Sequence, residues 1–460
     1  MKKCLLLLTV VFYFQTTDAQ NTFVVGTDTL TDRIVTTNLH VPWELIWGPD
    51  NYIWMTERDG VISRVDPVTG NKNVILQLAD VEEIQESGLL GMCLHPNFTD
   101  TPQVFIVYTY NHATLGTTEK VMRYTYAGGV LTNPVKLMDS IDGANIHNGS
   151  RLLISADRKL FISTGDASVT SKSQDTNLVN GKILRINLDG TIPADNPYAN
   201  KPIWSIGHRN AQGLIIANGI MYSSEHGPTS DDEFNIIEKK RNYGWPTVAG
   251  FCNTAPEITF CTANNVKEPL AAWTPTLAVA GIAYYNHPAI SLWQHSVLMT
   301  TLKAEKLVQL KLNVTGDSVL TKTDFVKNEY GRLRNICVSP YGSIFISSSN
   351  TDAYGTPGAG DDRIIELRNL KYIPLGTSPL EKKSSVTLFP SPAGNKLYIQ
   401  SSTAMKYVQV SDLTGEVIYG EALNDRYTFS SDVAFLSKGM YILKVTLADN
   451  SVSVLKWMKE

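Results

Sequence analysis

Residues Gly143–Ala167 read GANIHNGSRLLISADRKLFISTGDA and contain a strand–turn–strand pattern. The apolar runs Leu152–Ile154 and Leu160–Ser163 flank the turn-forming sequence DRK, which predicts a β-hairpin. Antiparallel pairing would bring His147 and Asp166, just outside the two strands, to the same rim. A histidine oriented by a carboxylate can accept a proton near neutral pH. We therefore expect a proton-transfer pair here, and a surface histidine beside a capped turn is the alternative interpretation.

The same strand–turn–strand phrase recurs through residues 22–367. Further copies read LIWGPDNYIWMTERDGVISRVD, LIIANGIMYSSEHG and ICVSPYGSIFISSSN. Gly, Pro, Asn and Asp turns separate the apolar runs, which is typical of an all-β fold. Radial repetition of such units closes β-propellers without exposed edges. The pattern favours a β-propeller over a β-sandwich or a solenoid.

Length and composition limit the class of partner. A chain of 460 residues with 43% hydrophobic and 18% charged residues has room for one large and one smaller globular domain. Its net charge of -4 argues against a nucleic-acid-binding surface or a strongly basic membrane surface. We therefore expect a small-molecule partner and no nucleic acid.

The N-terminus has the pattern of a secretory signal peptide over residues 1–19. Lys2 and Lys3 precede an apolar run from Cys4 to Phe14, and Ala19 offers a cleavage point. The run is too short to span a bilayer, and no later segment approaches that length. We expect an exported protein that does not span the membrane.

Four cysteines remain after removal of that peptide. Cys252 and Cys261 bracket the loop CNTAPEITFC, and a bridge between them in an oxidising compartment would add about 3 kcal/mol of stability. Cys93 and Cys337 lie inside apolar runs, so we expect them to be buried free thiols.

The composition changes after residue 368. Residues 369–385 are polar and turn-rich, as in a linker, and residues 386–460 read as the alternating strands of a small β-sandwich. The phrases FPSPAGNKLYI, DLTGEVI and LSKGMYILKV and the basic end at Lys456 and Lys459 resemble the C-terminal sorting domain of the type IX secretion system. The resemblance implies export through the periplasm by that machinery, with release or attachment at the cell surface. An unrelated accessory sandwich is the alternative.

Cationic and amide side chains occur at four further places along residues 22–368. IWSIGHRNAQGL places Arg209 beside Asn210, LMTTLKAEKL contains Lys303 after an apolar strand, and EYGRLRNICVSP places Arg332 and Arg334 on one side of an extended segment. Taken singly, such residues are often surface groups. Together they indicate a site for a polyanion.

Oxygen donors gather in SSEHGPTSDDEFNIIEKKRNYGWP. Gly227 and Pro228 offer carbonyl groups in a turn. Further oxygen donors that could complete oxygen cages are Asp231, Asp232, Glu233 and the Tyr243 carbonyl. Donor sets of oxygen alone favour Ca²⁺ over zinc or copper. A solvated acidic turn is the alternative.

From about Pro42 to Leu367 the chain resembles the soluble, pyrroloquinoline quinone (PQQ)-dependent glucose/sorbosone dehydrogenases, including the aldose sugar dehydrogenases. The matching phrases are GLLGMCLHPNF, HNGSRLLISADRKLFISTGDA, GKILRINLDGTIPADNPY, IWSIGHRNAQGL, SSEHGPTSDDEFNIIEKKRNYGWP and YGRLR. The resemblance implies a six-bladed β-propeller over residues 22–368 that holds PQQ at its central mouth, together with Ca²⁺.

The resemblance also implies roles for single residues. His147 would be the general base, Asp166 would orient it, and Arg209 would stabilise negative charge on the quinone. The remaining implied ligands are Asn210 beside the quinone; Lys303, Arg332 and Arg334 at its carboxylates; the carbonyls of Gly227 and Pro228 at one Ca²⁺; and Glu233 with the Tyr243 carbonyl at a structural Ca²⁺.

Two positions depart from the pattern of the family. Where a family glutamine contacts the quinone, this chain has Glu86, with Gln85 one residue earlier, and a carboxylate would repel an anionic cofactor. His226 matches the EHGP phrase of the aldose sugar dehydrogenases and favours a broad range of aldoses.

We therefore predict a secreted quinoprotein dehydrogenase that oxidises the anomeric carbon of aldoses to lactones and passes electrons to an external acceptor. A non-catalytic carbohydrate- or protein-binding propeller and a calcium-dependent lactonase are the alternatives.

Overall fold

The computed structural model describes residues 21–372, 386–412, 416–448 and 452–460. The predicted signal peptide and residues 373–385 of the predicted linker lie outside these ranges. The chain divides into two compact units, with the boundary between Tyr372 and Ile373.

The first unit contains six antiparallel sheets, which we call blades. The strands β1 (Thr22–Val25) and β2 (Asp28–Thr36) belong to blade 6. Blade 1 contains β3 (Pro42–Trp47), β4 (Ile53–Glu57), β5 (Val61–Val65) and β6 (Lys72–Gln77); blade 2 contains β7 (Leu89–Leu94), β8 (Gln103–His112), β9 (Gly116–Ala127) and β10 (Val130–Asp142). Blade 3 contains β11 (Gly149–Ile154), β12 (Lys159–Thr164), β13 (Lys182–Asn187) and β14 (Ile203–Ile206); blade 4 contains β15 (Ala211–Ala217), β16 (Ile220–Glu225), β17 (Asp232–Ile236) and β18 (Ala271–Trp273). Blade 5 contains β19 (Val279–Tyr285), β20 (Ser296–Thr301), β21 (Leu307–Leu312) and β22 (Val319–Phe325), and β23 (Leu333–Val338), β24 (Ile344–Ser348) and β25 (Ile364–Arg368) complete blade 6.

The blades form a closed ring. Their innermost strands, β3, β7, β11, β15, β19 and β23, contact one another in that order, and β23 contacts β3. Blade 6 joins both ends of the unit, because β2 pairs with β25 in the register that places Ile34 opposite Ile365. The predicted six-bladed β-propeller is therefore confirmed, and its ring has no open edge between the first and last blades.

Apolar side chains between neighbouring blades form the core. Leu298 and Leu307 of blade 5, for example, are fully buried in one cluster with Leu333 and Ile346 of blade 6. Full burial of each such side chain contributes roughly 1.5–3 kcal/mol. This packing fixes the angle between blades and thereby the position of each inner strand around the axis.

Glycines allow the inner strands to converge. A Cβ atom on Gly91 in β7 would lie 2.1 Å from the carbonyl oxygen of Ser150 in β11, and one on Gly213 in β15 would lie 2.8 Å from that of Ala280 in β19. A side chain at either position would push neighbouring blades apart. The GLLG and NAQG phrases therefore belong to the narrow centre of the ring.

An insertion in blade 4 contains the one α-helix of the described residues, α1 (Ala255–Asn264). Thr254 and Glu257 form a capping box at its N-terminus, which satisfies backbone N–H groups that the helix leaves unpaired. Cys252 and Cys261 form a disulfide across it, so a bridge joins them. Two 3₁₀ helices span Thr170–Ser173 and Pro288–Trp293.

Both remaining cysteines of the described residues, Cys93 and Cys337, are buried free thiols, as predicted. Burial raises the pKa of each thiol, which keeps both protonated and unreactive.

The second unit is a small β domain. Its strands are β26 (Val386–Phe389), β27 (Lys396–Ser411), β28 (Val417–Asp432), β29 (Gly439–Leu447) and β30 (Val452–Lys459), joined in one antiparallel sheet. Inward-facing residues such as Leu397, Met405, Val445 and Trp457 form its own apolar core. Across the described ranges, no helix has the length and apolar character that a membrane span requires.

Candidate active site

The inner strands begin at one face of the propeller, and their N-terminal ends surround a cavity of about 340 Å³. Four of its lining residues were predicted ligands, namely Glu86, Lys303, Arg332 and Arg334. They come from the segments before β7, β21 and β23 and from β23 itself. The ring closure thus brings together charges that lie up to 248 positions apart in the sequence (334 − 86).

Neither His147 nor Asp166 lines this cavity, but Asn148, the neighbour of His147 in the chain, does. Nδ1 of His147 is 2.9 Å from Oδ1 of Asp166, and the backbone N–H of His147 donates to Oε2 of Glu86 at 3.1 Å. His147 has a positive φ of +64°, a conformation that costs energy for a residue with a side chain.

Three donors hold Asp166, whose side chain is 0% exposed. Besides His147, the indole Nε1 of Trp245 donates to Oδ2 at 2.9 Å and the backbone N–H of Ser168 donates to Oδ1 at 2.8 Å. Burial raises the pKa of Asp166, but the hydrogen bonds from His147 and Trp245 outweigh it, so the pKa lies below its ordinary value. The carboxylate stays ionised and orients the imidazole.

Arg332 and Arg334 share one carboxylate. Nη2 of Arg332 lies 2.9 Å and Nη2 of Arg334 3.1 Å from Oδ2 of Asp352. Burial lowers the pKa of Arg334 to about 10, which leaves it charged at neutral pH. One anion between two guanidinium groups leaves a net positive charge on this wall of the cavity.

Lys303 extends that positive wall from blade 5. Its side chain is exposed, and Nζ contacts the Thr276 hydroxyl at 3.3 Å. With so weak a tether, the ammonium can turn toward a ligand in the cavity.

Arg209 and Asn210 lie at the start of blade 4, fixed through Glu225. The backbone N–H groups of both residues donate to Oε1 of Glu225. The amide oxygen of Asn210 accepts from the backbone N–H of Gly149 and from Nε2 of Gln212, each at 3.0 Å. Its Nδ2, however, is buried with no partner in the described residues. This unsatisfied donor can form a hydrogen bond with an acceptor on a bound ligand.

His226 also has a buried nitrogen without a hydrogen-bond partner. Its Nε2 has no partner in the part of the chain that the structure describes, and burial lowers the pKa of the imidazole to about 4. The side chain is therefore neutral at physiological pH. It lines the main cavity and also a smaller one next to it.

The structure distinguishes between Glu86 and Gln85. Glu86 lines the main cavity, whereas Gln85 is exposed and does not belong to the lining. Because Glu86 accepts from the His147 backbone, its carboxylate helps to hold the loop that carries the imidazole.

Three of the four predicted calcium ligands line the smaller cavity. Gly227, Glu233 and Tyr243 line it together with Arg209, whereas Pro228 is exposed and outside the lining. No three His, Cys, Asp or Glu side chains among the described residues are clustered to hold a metal. A cation here would therefore depend on backbone carbonyl groups.

Glu233 is a buried carboxyl group that has no partner cation among the described residues. Burial and the neighbouring Glu225 raise its pKa to about 8, so the group holds a proton at neutral pH. The Gly250 N–H donates to Oε1 at 2.6 Å, and Nδ2 of Asn235 donates to Oε2 at 2.8 Å. Buried carboxylates without a partner cation are costly. This donor set fits a hard divalent cation.

Sequence reasoning missed Gln212, Trp245 and Arg58. Gln212 holds Asn210, Trp245 holds Asp166, and Arg58 lines the main cavity. The phrases NAQG, YGWP and TERDG contain these residues, but only the closed ring shows which of their side chains reach the site.

Comparison with known proteins shows which families the two parts of the chain resemble. Residues 39–355 match the model of the Glucose / Sorbosone dehydrogenase family, and residues 387–460 match the Secretion system C-terminal sorting domain. Quinoprotein glucose dehydrogenase B of Acinetobacter calcoaceticus is 30% identical over 408 residues, which cover 69% of this chain and 85% of that protein. Aldose sugar dehydrogenase YliI of Escherichia coli is 28% identical over 335 residues, or 69% of this chain and 90% of that protein.

A solved structure extends the comparison to three dimensions. The PQQ-bound form of aldose sugar dehydrogenase from Streptomyces coelicolor superposes with a TM-score of 0.65 at 32% identity and covers 74% of this chain and 98% of that one. The chain therefore belongs to the glucose/sorbosone dehydrogenase family of oxidoreductases and ends in a secretion system C-terminal sorting domain.

Proposed function

We propose that this protein is an exported PQQ-dependent dehydrogenase that oxidises the anomeric carbon of aldose sugars to lactones. Two electrons leave the sugar as a hydride and one proton leaves its anomeric hydroxyl group. PQQ, when bound, supplies the hydride-accepting quinone, and an external acceptor takes the electrons onward. The observation that carries the proposal is a cation-lined cavity whose wall includes Asn148, next to His147 in the chain, and Glu86, which accepts from the His147 backbone N–H.

The cavity has the chemistry that a planar tricarboxylate needs. Lys303, Arg332 and Arg334 would hold the carboxylates of PQQ, because guanidinium and ammonium groups pair with carboxylates. Arg209 and the unpaired Nδ2 of Asn210 would face the polar edge of the ring system, where a positive group stabilises developing negative charge.

His147 has a free acceptor for the proton. With Nδ1–H donated to Asp166, Nε2 carries the lone pair, and it has no protein partner within the described ranges. A sugar hydroxyl in the cavity can therefore donate to Nε2, and the ionised Asp166 stabilises the imidazolium that forms.

Calcium belongs to the same proposal. The carbonyl groups of Gly227 and Pro228 would hold one Ca²⁺ beside the cofactor, and Glu233 with the Tyr243 carbonyl would hold a structural one. The buried carboxyl group of Glu233, whose pKa burial raises, supports the second position, because a bound cation would stabilise its ionised form. Bound Ca²⁺ would supply Lewis-acid polarisation of the quinone.

Export follows from the second unit, since a secretion sorting domain covers residues 387–460. We propose that the protein passes through the periplasm, leaves by the type IX secretion machinery, and is released or attached at the cell surface. Its sugar substrate and its electron acceptor would then both be met outside the inner membrane.

Reconstitution tests the proposal. Purified apoprotein is incubated with PQQ and Ca²⁺, and reduction of an artificial dye is followed with a panel of aldoses. We expect dye reduction that requires both additions, with lactone as product. Lactone hydrolysis without quinone would support the lactonase instead, and the absence of both activities would support a binding propeller.

A further inference from the structure

The main cavity contains a fourth cation that the sequence analysis did not assign. Arg58, which directly follows β4 in blade 1, lines the cavity and is only 5% exposed. Its backbone is anchored on both sides, because its N–H donates to the His40 carbonyl and its own carbonyl accepts from Leu89 at 2.8 Å. The side chain therefore leaves a fixed point at the cavity wall.

One end of the guanidinium group is held in place. Nε of Arg58 donates to Oε1 of Glu83 at 3.1 Å, and Nε2 of His40 contacts the same oxygen at 2.8 Å. Gly88 packs against the stem, since a Cβ at that position would lie 2.3 Å from Cγ of Arg58. The side chain is thus oriented before any ligand binds.

The other end of the group is free. Within the described residues, Nη1 and Nη2 of Arg58 donate to no protein acceptor, and both nitrogens are accessible. Because Arg58 lines the cavity, a ligand there can accept from them. By contrast, Arg332 gives Nε and Nη2 to Asp352, and all three nitrogens of Arg334 have protein partners. Arg58 therefore has the largest unused donor capacity among these three arginines.

Arg58 is close enough to the positive wall of the cavity for its charge to act on Arg334. Burial is the main cause that lowers the pKa of Arg334, and the charges of Arg332 and Arg58 lower it further. Two cations that repel across a cavity are stabilised when an anion binds between them.

We propose that Arg58 is a further ligand-binding residue that grips a carboxylate through its two terminal nitrogens. The inference rests on the proposed function and deepens it. A preorganised guanidinium fork matches a carboxylate with two parallel hydrogen bonds. The carboxylate belongs either to the cofactor or to an acidic aldose such as a hexuronic acid, and the two sources are distinguishable.

The test compares wild type with Arg58→Gln, Arg58→Lys and the control Arg123→Gln. Arg123 lies on β9 and donates to the Leu188 carbonyl, so its replacement removes the same charge outside the cavity. PQQ binding to apoprotein is titrated by quenching of tryptophan fluorescence, and thermal unfolding shows that each variant is folded. Steady-state kinetics with glucose and glucuronate follow on the reconstituted proteins.

If the cofactor supplies the carboxylate, Arg58→Gln should weaken PQQ binding at least tenfold, with a smaller loss in Arg58→Lys and none in Arg123→Gln. If the substrate supplies it, PQQ binding is kept and KM rises at least tenfold for glucuronate alone. Unchanged PQQ binding together with unchanged KM values would overturn the inference. A wild-type protein that binds no PQQ would contradict the proposed function as well.

Discussion

Nδ1 of His147 lies 2.9 Å from Oδ1 of Asp166, although 19 positions separate the two residues in the chain. The β11–β12 hairpin produces this contact, because antiparallel pairing returns the chain to its starting rim. The carboxylate of Asp166 accepts three hydrogen bonds, from His147, Ser168 and Trp245. An amide in its place cannot accept all three.

Asp166→Asn should lower turnover by about 10²- to 10⁴-fold. An asparagine must direct its NH₂ group either at the indole N–H of Trp245 or at His147. The first choice breaks a hydrogen bond, and the second forces the imidazole proton onto Nε2, where no lone pair is left to accept the sugar proton. Dye-coupled assays of the reconstituted variant measure the loss, and unchanged PQQ binding shows that the cavity is intact. Turnover within threefold of wild type would show that Asp166 does not orient the base.

Gln212→Met should weaken PQQ binding while the protein stays folded. Gln212 donates to the amide oxygen of Asn210 and accepts from Arg334 at 3.4 Å. Methionine has similar length but makes neither bond, so Asn210 can rotate and its Nδ2 loses its direction. A loss of about 1–2 kcal/mol, roughly five- to thirtyfold in dissociation constant, is expected.

Asn210→Ala supplies the matched background for that variant. If Gln212 acts mainly through Asn210, adding Gln212→Met to Asn210→Ala should change the dissociation constant by less than about threefold. A full additional loss in the double variant would show that Gln212 acts independently of Asn210.

Stability should fall as the pH rises, because of Glu119. Its carboxyl group is fully buried in β9, where Oε2 accepts from the Ser150 hydroxyl and Oε1 has no partner in the described residues. Burial raises the pKa of Glu119 from 4.5 to about 8. Between these values the folded protein keeps a proton that the unfolded chain releases, so the contribution to stability is complete below pH 4.5 and is lost as the pH passes 8.

Glu119→Gln removes that titration. A tenfold change in an ionisation constant corresponds to about 1.4 kcal/mol, so the variant should gain stability relative to wild type as the pH rises from 5 to 8. Denaturant unfolding of the propeller at several pH values measures the difference. Parallel curves for the two proteins across this range would rule out a proton on Glu119.

The fold was predictable from sequence because its signals are local. Apolar runs separated by turn residues indicate each blade. A few adjacent residues around Asp157 were enough to predict the hairpin. The C-terminal sorting domain was predictable for the same reason, since each of its motifs is a continuous stretch of sequence. The spacing of Cys252 and Cys261 in an exported chain made a disulfide possible without deciding it, and the structure contains the bridge.

The site was predictable only in part because it depends on ring closure. Lys303, Arg332 and Arg334 stood out through the resemblance to a known family, and the structure brings them to one cavity with Glu86. Arg58 could not be assigned, since TERDG reads as an ordinary strand end. Its importance follows from the nitrogens that the folded chain leaves unpaired, and a sequence does not display hydrogen-bond partners.

The central claim is that His147 takes a proton from a sugar held in the cation-lined cavity. The most direct test is dye-coupled turnover of His147→Gln after reconstitution with PQQ and Ca²⁺, with bound PQQ measured in the same samples. We predict wild-type PQQ content and a turnover number lower by about 10²- to 10⁴-fold. Turnover close to that of the wild type at equal PQQ content would contradict the account.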